Sequence, residues 1–169
     1  MVHIRPAQTM DIKGITDIYN EAICSSVATF DIRPKSLIEQ TAWFKEHGPN
    51  NPIMVAEKTG IIVGWAALSK WSKRCAYKDT AELSVYVKKE YRGKNIGKKL
   101  LKNILCEGEK VGLHTIIALI TEGNKKSIHL HKSLGFFPIG VIREAGYKFG
   151  RHLDVYIMQK IYTSRSNKD

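Results

Sequence analysis

The stretch Tyr91-Arg92-Gly93-Lys94-Asn95-Ile96-Gly97-Lys98-Lys99-Leu100 decides the fold, because it joins a strand to a helix. The segment before it, Ala81 to Val87, is rich in residues that favour strands, and apolar residues recur at helical spacing from Ile96 onward. Such a turn presents backbone N–H groups without partners, and the helix dipole adds about half a positive charge. The basic side chains add full charges, so the turn predicts a cradle for phosphate or pyrophosphate.

Length and composition are typical of a single globular domain. With 169 residues, 43% of them hydrophobic and 25% charged, we predict one domain over residues 1–162 and a polar tail over 163–169. No apolar run reaches the length of a membrane span, and no charged-then-apolar N-terminus indicates export. Cys24, Cys75 and Cys106 form neither a disulfide framework nor a metal pattern, so we expect a reducing cytoplasm.

The net charge of +11 permits binding to nucleic acid. A nucleic-acid-binding domain would concentrate basic residues together with stacking aromatics, whereas lysine and arginine are spread along this chain. The enrichment over residues 88–102 is explained equally well by attraction of an anionic cofactor. We therefore expect no nucleic-acid partner, and a basic nucleic-acid-binding domain without catalysis remains the alternative from a different class.

Hydrophobic periodicity predicts the element order β-α-α-β-β-β-α-β-α-β-β. The predicted strands cover residues 2–5, 53–57, 61–69, 81–87, 115–120, 136–142 and 153–161, and the predicted helices cover 12–23, 36–48, 96–111 and 124–134. Gly146 and Tyr147 fall on a loop between the last two strands in this assignment. The order predicts an α+β fold whose mixed, mostly antiparallel central sheet is flanked by helices.

Two segments resemble signatures of the GNAT N-acetyltransferase superfamily. The basic turn is similar to its acyl-CoA motif [Q/R]-x-x-G-x-[G/A], with Arg92 first, Gly97 last, and Asn95 where the family usually has glycine. Asparagine tolerates the positive φ that such a position requires. The segment from Asn124 to Phe136 resembles a second signature, with His131 in a position that tyrosine usually occupies. The resemblance implies the acyl-CoA N-acyltransferase fold over the whole domain.

Within that superfamily the chain is most similar to phosphinothricin and methionine sulfoximine acetyltransferases. The segments that carry this similarity are 27–30, 71–77, 82–87, 129–136, 145–148 and 153–155. The resemblance implies transfer of acetyl from acetyl-CoA to the α-amine of a small analogue such as phosphinothricin, methionine sulfoximine or methionine sulfone. The implied mechanism is direct attack through a tetrahedral intermediate, in a homodimer that spans no membrane. Peptide N-termini, aminoglycosides and polyamines remain alternative acceptors, and Thr121 and Phe149 depart from the family pattern.

The resemblance implies two catalytic residues. Glu82 would take a proton from the amine as general base, and His131 would protonate the departing CoA thiolate. Taken without the resemblance, Glu82 is a solvated carboxylate or a partner for Arg74, and His131 is a packed or surface residue. For the acceptor, Arg74 can bind an anionic oxygen, Tyr77 can donate a hydrogen bond, and Phe30 can form a wall.

The resemblance also implies a set of residues that bind acetyl-CoA through backbone amides and basic side chains. They are Val85, Tyr86, Val87, Arg92, Gly93, Lys94, Asn95, Ile96, Gly97, Lys98, Asn124 and Ser127. Asn124 has an equally good interpretation as a helix N-cap. The amide of Val85 or Tyr86 is expected to meet the developing oxyanion. No cluster has metal-ligand spacing and no Ser-His-Asp or Cys-His arrangement is legible, so we expect neither a metal nor a covalent intermediate.

Overall fold

The computed structural model describes residues 1–163, in which four α-helices surround one seven-stranded sheet. The strands are β1 (His3–Pro6), β2 (Ile53–Lys58), β3 (Ile61–Lys70), β4 (Thr80–Val87), β5 (Thr115–Thr121), β6 (Phe137–Lys148) and β7 (Arg151–Ile161). The helices are α1 (Ile12–Ser25), α2 (Leu37–Glu46), α3 (Ile96–Lys110) and α4 (Lys125–Lys132). The predicted element order is confirmed, and the predicted tail lies outside the described residues except for Thr163.

The sheet has the order β1-β2-β3-β4-β5-β7-β6. Every pair of neighbouring strands is antiparallel except β4 and β5, which are parallel. This arrangement confirms the predicted α+β class with a mixed, mostly antiparallel sheet.

Two apolar clusters hold the helices on the sheet. In the larger one, Leu100, Leu101 and Ile104 of α3 are fully buried against β2, β3 and β4. In the smaller one, Ile15 and Ile18 of α1 pack on the opposite face of the sheet. Within the described residues, no helix combines the length and apolarity needed to cross a membrane.

The last hairpin differs from its prediction. Strand β6 continues through Gly146 and Tyr147 to Lys148, so the predicted loop at those residues is wrong. The chain reverses instead at Phe149 and Gly150, whose φ angles are +51° and +77°. Two consecutive positive φ angles are typical of a tight hairpin turn, which asparagine-glycine usually marks. Phenylalanine is rare at such a position, and the sequence therefore carried no turn signal there.

The sheet splits between β4 and β5. The two strands pair only over the first three residues of β4, from Thr80 opposite Thr115 to Glu82 opposite Ile117. Beyond Glu82, β4 stays paired with β3 as far as Val87, while β5 stays paired with β7 along its whole length. The second half of β4 therefore has no neighbour on its β5 side, and a wedge-shaped gap opens in the middle of the sheet.

A charged network joins β1, β2 and the start of α1. Arg5 donates from Nη1 and Nη2 to both carboxylate oxygens of Asp11 at 2.7 and 2.9 Å, and from Nε to Glu57 at 2.8 Å. The Gln8 N–H also donates to Asp11, at 2.7 Å. Burial acts to raise the pKa of Asp11, but the hydrogen bonds from Arg5 and Gln8 outweigh it and hold that pKa below its ordinary value.

We expect the substitution Asp11→Asn to lower the free energy of unfolding by about 2–3 kcal/mol, because it leaves a partly buried guanidinium without its main partner. The carboxylate contributes this stability above its unfolded pKa of about 3.9, and the contribution disappears as the pH falls through the lower folded pKa. Urea unfolding at neutral and acidic pH measures both effects. The control is Asp17→Asn, which removes an exposed ion pair with Lys13. Equal losses in the two variants would contradict the assignment.

Candidate active site

A cavity of about 310 Å³ lies at the split between β4 and β5. Its lining comes from α1 and the loop that follows it, from β4, β5 and β7, and from α4 with its N-cap residue. The lining residues are Tyr19, Ala28, Thr29, Phe30, Glu82, Leu83, Ser84, Val85, Tyr86, Ala118, Leu119, Ile120, Thr121, Asn124, Ser127, His131 and Val155. The cavity thus collects both predicted catalytic residues, the predicted wall residue Phe30, and four of the twelve predicted cofactor-binding residues.

Glu82 lies where the two strands part. It lines the cavity, and it has no hydrogen-bond or ion-pair partner within residues 1–163. Arg74 does not pair with it, so the ion-paired interpretation does not describe its surroundings. Burial raises the pKa of Glu82 above its ordinary value. A partly desolvated carboxylate without a counter-ion is well suited to accept a proton near neutral pH.

The backbone of β4 presents free amides to the gap. At one end of the β3–β4 pairing, Lys88 N–H donates to Val63 O, and at the other end Trp71 N–H donates to Thr80 O. The even-numbered residues of β4 therefore form the hydrogen bonds to β3. Because this bonding alternates along a strand, the N–H groups of Val85 and Val87 face the gap. The amide of Tyr86 faces β3, so of the two amides considered for an oxyanion only that of Val85 is available.

The basic turn has the conformation that the sequence predicted. Gly93 and Asn95 have φ angles of +76° and +62°, which confirms that asparagine occupies a left-handed position here. Six consecutive N–H groups, from Gly93 to Lys98, have no hydrogen-bond acceptor among the described residues. The side chain of Arg92 donates from Nε to Val87 O at 2.9 Å and braces the turn against β4. Free amides at a helix N-terminus are an arrangement typical of anion-binding sites.

The other predicted residues of the turn contribute in different ways. Ile96 is buried in the core and offers only its amide. At Gly97 an added Cβ would lie 3.6 Å from Leu130, an ordinary contact, so packing does not require glycine there. Lys94 donates from Nζ to Glu90 O at 3.0 Å, and Lys98 is half-buried.

Three residues of the α4 segment form a chain of hydrogen bonds. Asn124 caps the helix by accepting from Ser127 N at 3.2 Å, so its N-cap interpretation is confirmed. His131 is 3% exposed, and its Nδ1 lies 2.8 Å from the Ser127 carbonyl oxygen. A carbonyl only accepts, so Nδ1 carries the proton and Nε2 of the neutral ring does not. Burial lowers the pKa of His131 despite that hydrogen bond. The neutral ring can therefore donate to a thiolate only after Nε2 has gained a proton.

The loop after α1 forms the opposite wall of the cavity. Lys148 of β6 is 4% exposed and donates from Nζ to Thr29 O at 2.8 Å. Phe30 lies against the backbone of Gly146, where an added Cβ would be 2.7 Å from its ring. The hairpin of β6 and β7 therefore holds Phe30 in place, and Phe30 lines the cavity as predicted.

The structure does not bring Arg74 and Tyr77 into the cavity. Both lie on the exposed connection between β3 and β4, and Tyr77 is 42% exposed. Sequence reasoning missed Tyr19 and Ser84, which line the cavity. Tyr19 fell within the apolar repeat of the first helix, and a polar aromatic residue in such a repeat was its only signal. Within the described chain, no group of three histidine, cysteine or acidic residues could hold a metal ion.

Comparison with known proteins agrees with this geometry. A family model described as the acetyltransferase (GNAT) family matches residues 15–136. The L-amino acid N-acyltransferase MnaT of Escherichia coli is 34% identical over 167 residues, which are 98% of this chain and 97% of that protein. An L-methionine sulfoximine/L-methionine sulfone acetyltransferase of Pseudomonas paraeruginosa is 38% identical over 158 residues, or 92% of each chain. A phosphinothricin acetyltransferase structure from Sinorhizobium meliloti, in complex with acetyl-CoA, has a TM-score of 0.93 at 35% identity and covers 99% of this chain and 92% of that one.

We expect Gly146→Ala to displace Phe30, because the new Cβ would overlap its ring. The KM for the amine acceptor should rise about 10-fold, since small misplacements in an active site cost up to about 10²-fold, while the KM for the acyl donor stays unchanged. The matched control is Gly140→Ala in the same strand, where a Cβ would meet nothing within 4 Å. Steady-state kinetics with each substrate varied in turn make the measurement. Equal acceptor KM values in both variants would show that Phe30 does not shape the site.

Proposed function

This chain belongs to the GNAT acetyltransferase family, and we propose that it acetylates the α-amine of a small amino acid with an oxygen-bearing side chain. The proposed acceptors are methionine sulfoximine, methionine sulfone and phosphinothricin, and the proposed donor is acetyl-CoA. The observation that carries the proposal is the position of Glu82, an unpaired carboxylate at the point where β4 leaves β5. The names of relatives at 34–38% identity support the acceptor class.

Backbone groups would hold acetyl-CoA. The six free amides from Gly93 to Lys98 suit its pyrophosphate, and the N–H groups of Val85 and Val87 suit the amide carbonyls of its pantetheine arm. The arm would then fill the gap as an added strand, with Asn124 and Ser127 on the α4 side. The related phosphinothricin acetyltransferase structure contains acetyl-CoA, which supports this assignment.

The residues around the cavity suit direct transfer. Glu82 takes a proton from the acceptor's ammonium group, and the neutral nitrogen attacks the thioester carbonyl carbon. The Val85 N–H stabilises the resulting oxyanion. Nε2 of neutral His131 takes the second proton from the attacking nitrogen and passes it to the CoA sulfur as the C–S bond breaks. The products are the N-acetyl amino acid and free CoA. His131 returns to its neutral form, and Glu82 releases its proton to solvent.

The loop that contains Arg74 and Tyr77 remains part of the proposal. It leads into β4 only two residues before Glu82, and it carries a guanidinium that can bind the acceptor's carboxylate or another anionic oxygen. Its exposure leaves both side chains free of partners within residues 1–163. This assignment stays a prediction.

A homodimer and a cytoplasmic location complete the proposal. Strand β6 is an edge strand whose exposed apolar side chains include Phe137, Ile139 and Ile142, an arrangement typical of surfaces that pair with another chain. Sedimentation analysis of the mass in solution tests the dimer. The three cysteines are free thiols on the surface, as expected in a reducing compartment. Localisation of the tagged protein tests the compartment.

The activity is tested by following release of CoA thiol with a panel of amines. We expect turnover with methionine sulfoximine, methionine sulfone and phosphinothricin, and little with polyamines, aminoglycosides or peptides. Calorimetry with CoA and with mixed oligonucleotides separates the enzyme from a nucleic-acid-binding domain. Micromolar oligonucleotide binding without CoA binding would contradict the proposal. Turnover with a different amine only would show that the proposed acceptor class is wrong.

Glu82→Gln should lower kcat about 10²-fold at neutral pH, the usual contribution of a general base. The loss should shrink at high pH, where the amine loses its proton unaided. Because the pKa of Glu82 is raised, the acidic limb of the wild-type kcat/KM profile should lie above the ordinary range for glutamate and be absent from the variant. Glu109→Gln, at the far end of α3, is the control. A wild-type rate in the Glu82 variant would make this residue structural.

A further inference from the structure

A second cavity, of about 260 Å³, lies between α1, α2 and the same strand β4. It shares three lining residues with the first cavity, namely Tyr19, Ser84 and Tyr86. Every second side chain of a strand lies on the same face, so Glu82, Ser84 and Tyr86 share one face of β4. The two cavities are therefore neighbours on that face. The mechanism described above uses only the first of them.

The floor of the second cavity contains a buried amide without a partner. Gln40 is the most deeply buried residue of α2, at 5% exposure, although it is polar. It lines the cavity, and its carboxamide makes no hydrogen bond within residues 1–163. The Ser84 hydroxyl also lines the cavity and has no partner in the described chain. Gln40 and Ser84 thus leave polar groups open to the cavity, and a ligand in the cavity can supply hydrogen-bond partners for both.

The remaining walls are aromatic. The Trp65 ring lies 5.5 Å from Trp43, 5.9 Å from Tyr19 and 4.8 Å from Tyr86 between centroids. Such walls favour methylene or methyl groups. The polar end of the occupant would therefore meet Gln40 and Ser84, while its apolar stem lies against the rings.

The charges at the cavity disfavour an anionic occupant. Asp31 accepts from Tyr19 Oη at 2.6 Å and pairs with Lys35 at 3.2 Å. Glu39 is engaged by Ser36 and by Arg33, outside the cavity. Among the lining residues two carboxylates face one ammonium group, which leaves a net charge of −1. An uncharged polar group is favoured over a phosphinate or carboxylate.

We propose that this second cavity binds the side chain of the acceptor, and that Gln40 with Ser84 selects an uncharged sulfoximine or sulfone. The proposal rests on the function proposed above. With the α-amine beside Glu82, a side chain that runs along β4 reaches Ser84 after two residues of strand, or about 7 Å. The carboxamide both donates and accepts, which matches the N–H and oxygen of a sulfoximine. A thioether offers neither, and a phosphinate brings an unfavourable charge.

The first measurement is selectivity in the acetylation assay. Gln40→Met keeps the size of the side chain and removes its hydrogen bonds. We expect kcat/KM for methionine sulfoximine to fall about 10-fold, as for one or two lost hydrogen bonds, while kcat/KM for methionine changes less than about 2-fold. The melting temperature should stay the same or rise, because an unpartnered buried amide has been removed. Gln159→Met in β7, which lines neither cavity, is the control. An unchanged ratio of sulfoximine to methionine would overturn the proposal.

The second measurement is binding without catalysis. Two of the three tryptophans, Trp43 and Trp65, line the cavity, so in a Trp71→Phe background their fluorescence reports occupancy directly. Methionine sulfoximine should change the tryptophan fluorescence at a lower concentration than methionine or phosphinothricin does. The substitution Gln40→Met should remove that preference. If no amine is acetylated while this preference persists, the proposed function fails and the pocket stands. If acetylation occurs but the tryptophans report no preference, the pocket fails and the function stands. If neither is seen, both are wrong.

Discussion

The parting of β4 from β5 is the constraint on which the rest of the structure depends. Each strand has an antiparallel neighbour that it keeps to its end: β3 for β4, and β7 for β5. The short parallel pairing between them ends at Glu82, so half of a central strand is left with unpaired backbone in the middle of the molecule. Unpaired backbone groups normally occur at sheet edges or in loops. Here they lie between a helix N-terminus and a cavity, where a substrate can complete the sheet.

Unpartnered polar groups are concentrated around this split. Glu82, the free Nε2 of His131 and the carboxamide of Gln40 lie in or beside the two cavities, whereas the buried carboxylate of Asp11, elsewhere in the fold, accepts hydrogen bonds from Arg5 and Gln8. The open polar groups thus face the cavities, whereas the Asp11 carboxylate serves the stability of the fold. Burial then tunes the pKa of Glu82 upward and that of His131 downward, which makes both groups proton acceptors near neutral pH.

The sequence predicted those features that depend on local chemistry. The element order follows from periodicity, and the positive φ of Asn95 follows from the tolerance of asparagine for that conformation. Features that depend on contacts between distant segments of the chain were not predicted. The long hairpin turns at Phe149, a residue without turn preference, and the exposure of Arg74 depends on how its loop folds over the surface. The second cavity joins side chains from α1, α2, β3 and β4 that no local pattern connects.

Main-chain groups and side chains of β4 point in different directions, and substitutions affect the two differently. In the proposed function, the donor side of the strand uses main-chain N–H groups, which every residue except proline supplies, so substitutions at Val85 or Val87 would leave those groups in place. The acceptor side would instead use the side chains of Glu82, Ser84 and Tyr86, which line the cavity and which single substitutions can change. Natural variation can thus diversify the accepted amines one position at a time while the donor remains common to all descendants. A single-residue insertion in β4, by contrast, would turn every following side chain and N–H group to the opposite side. It would therefore disrupt the donor side and the acceptor side together.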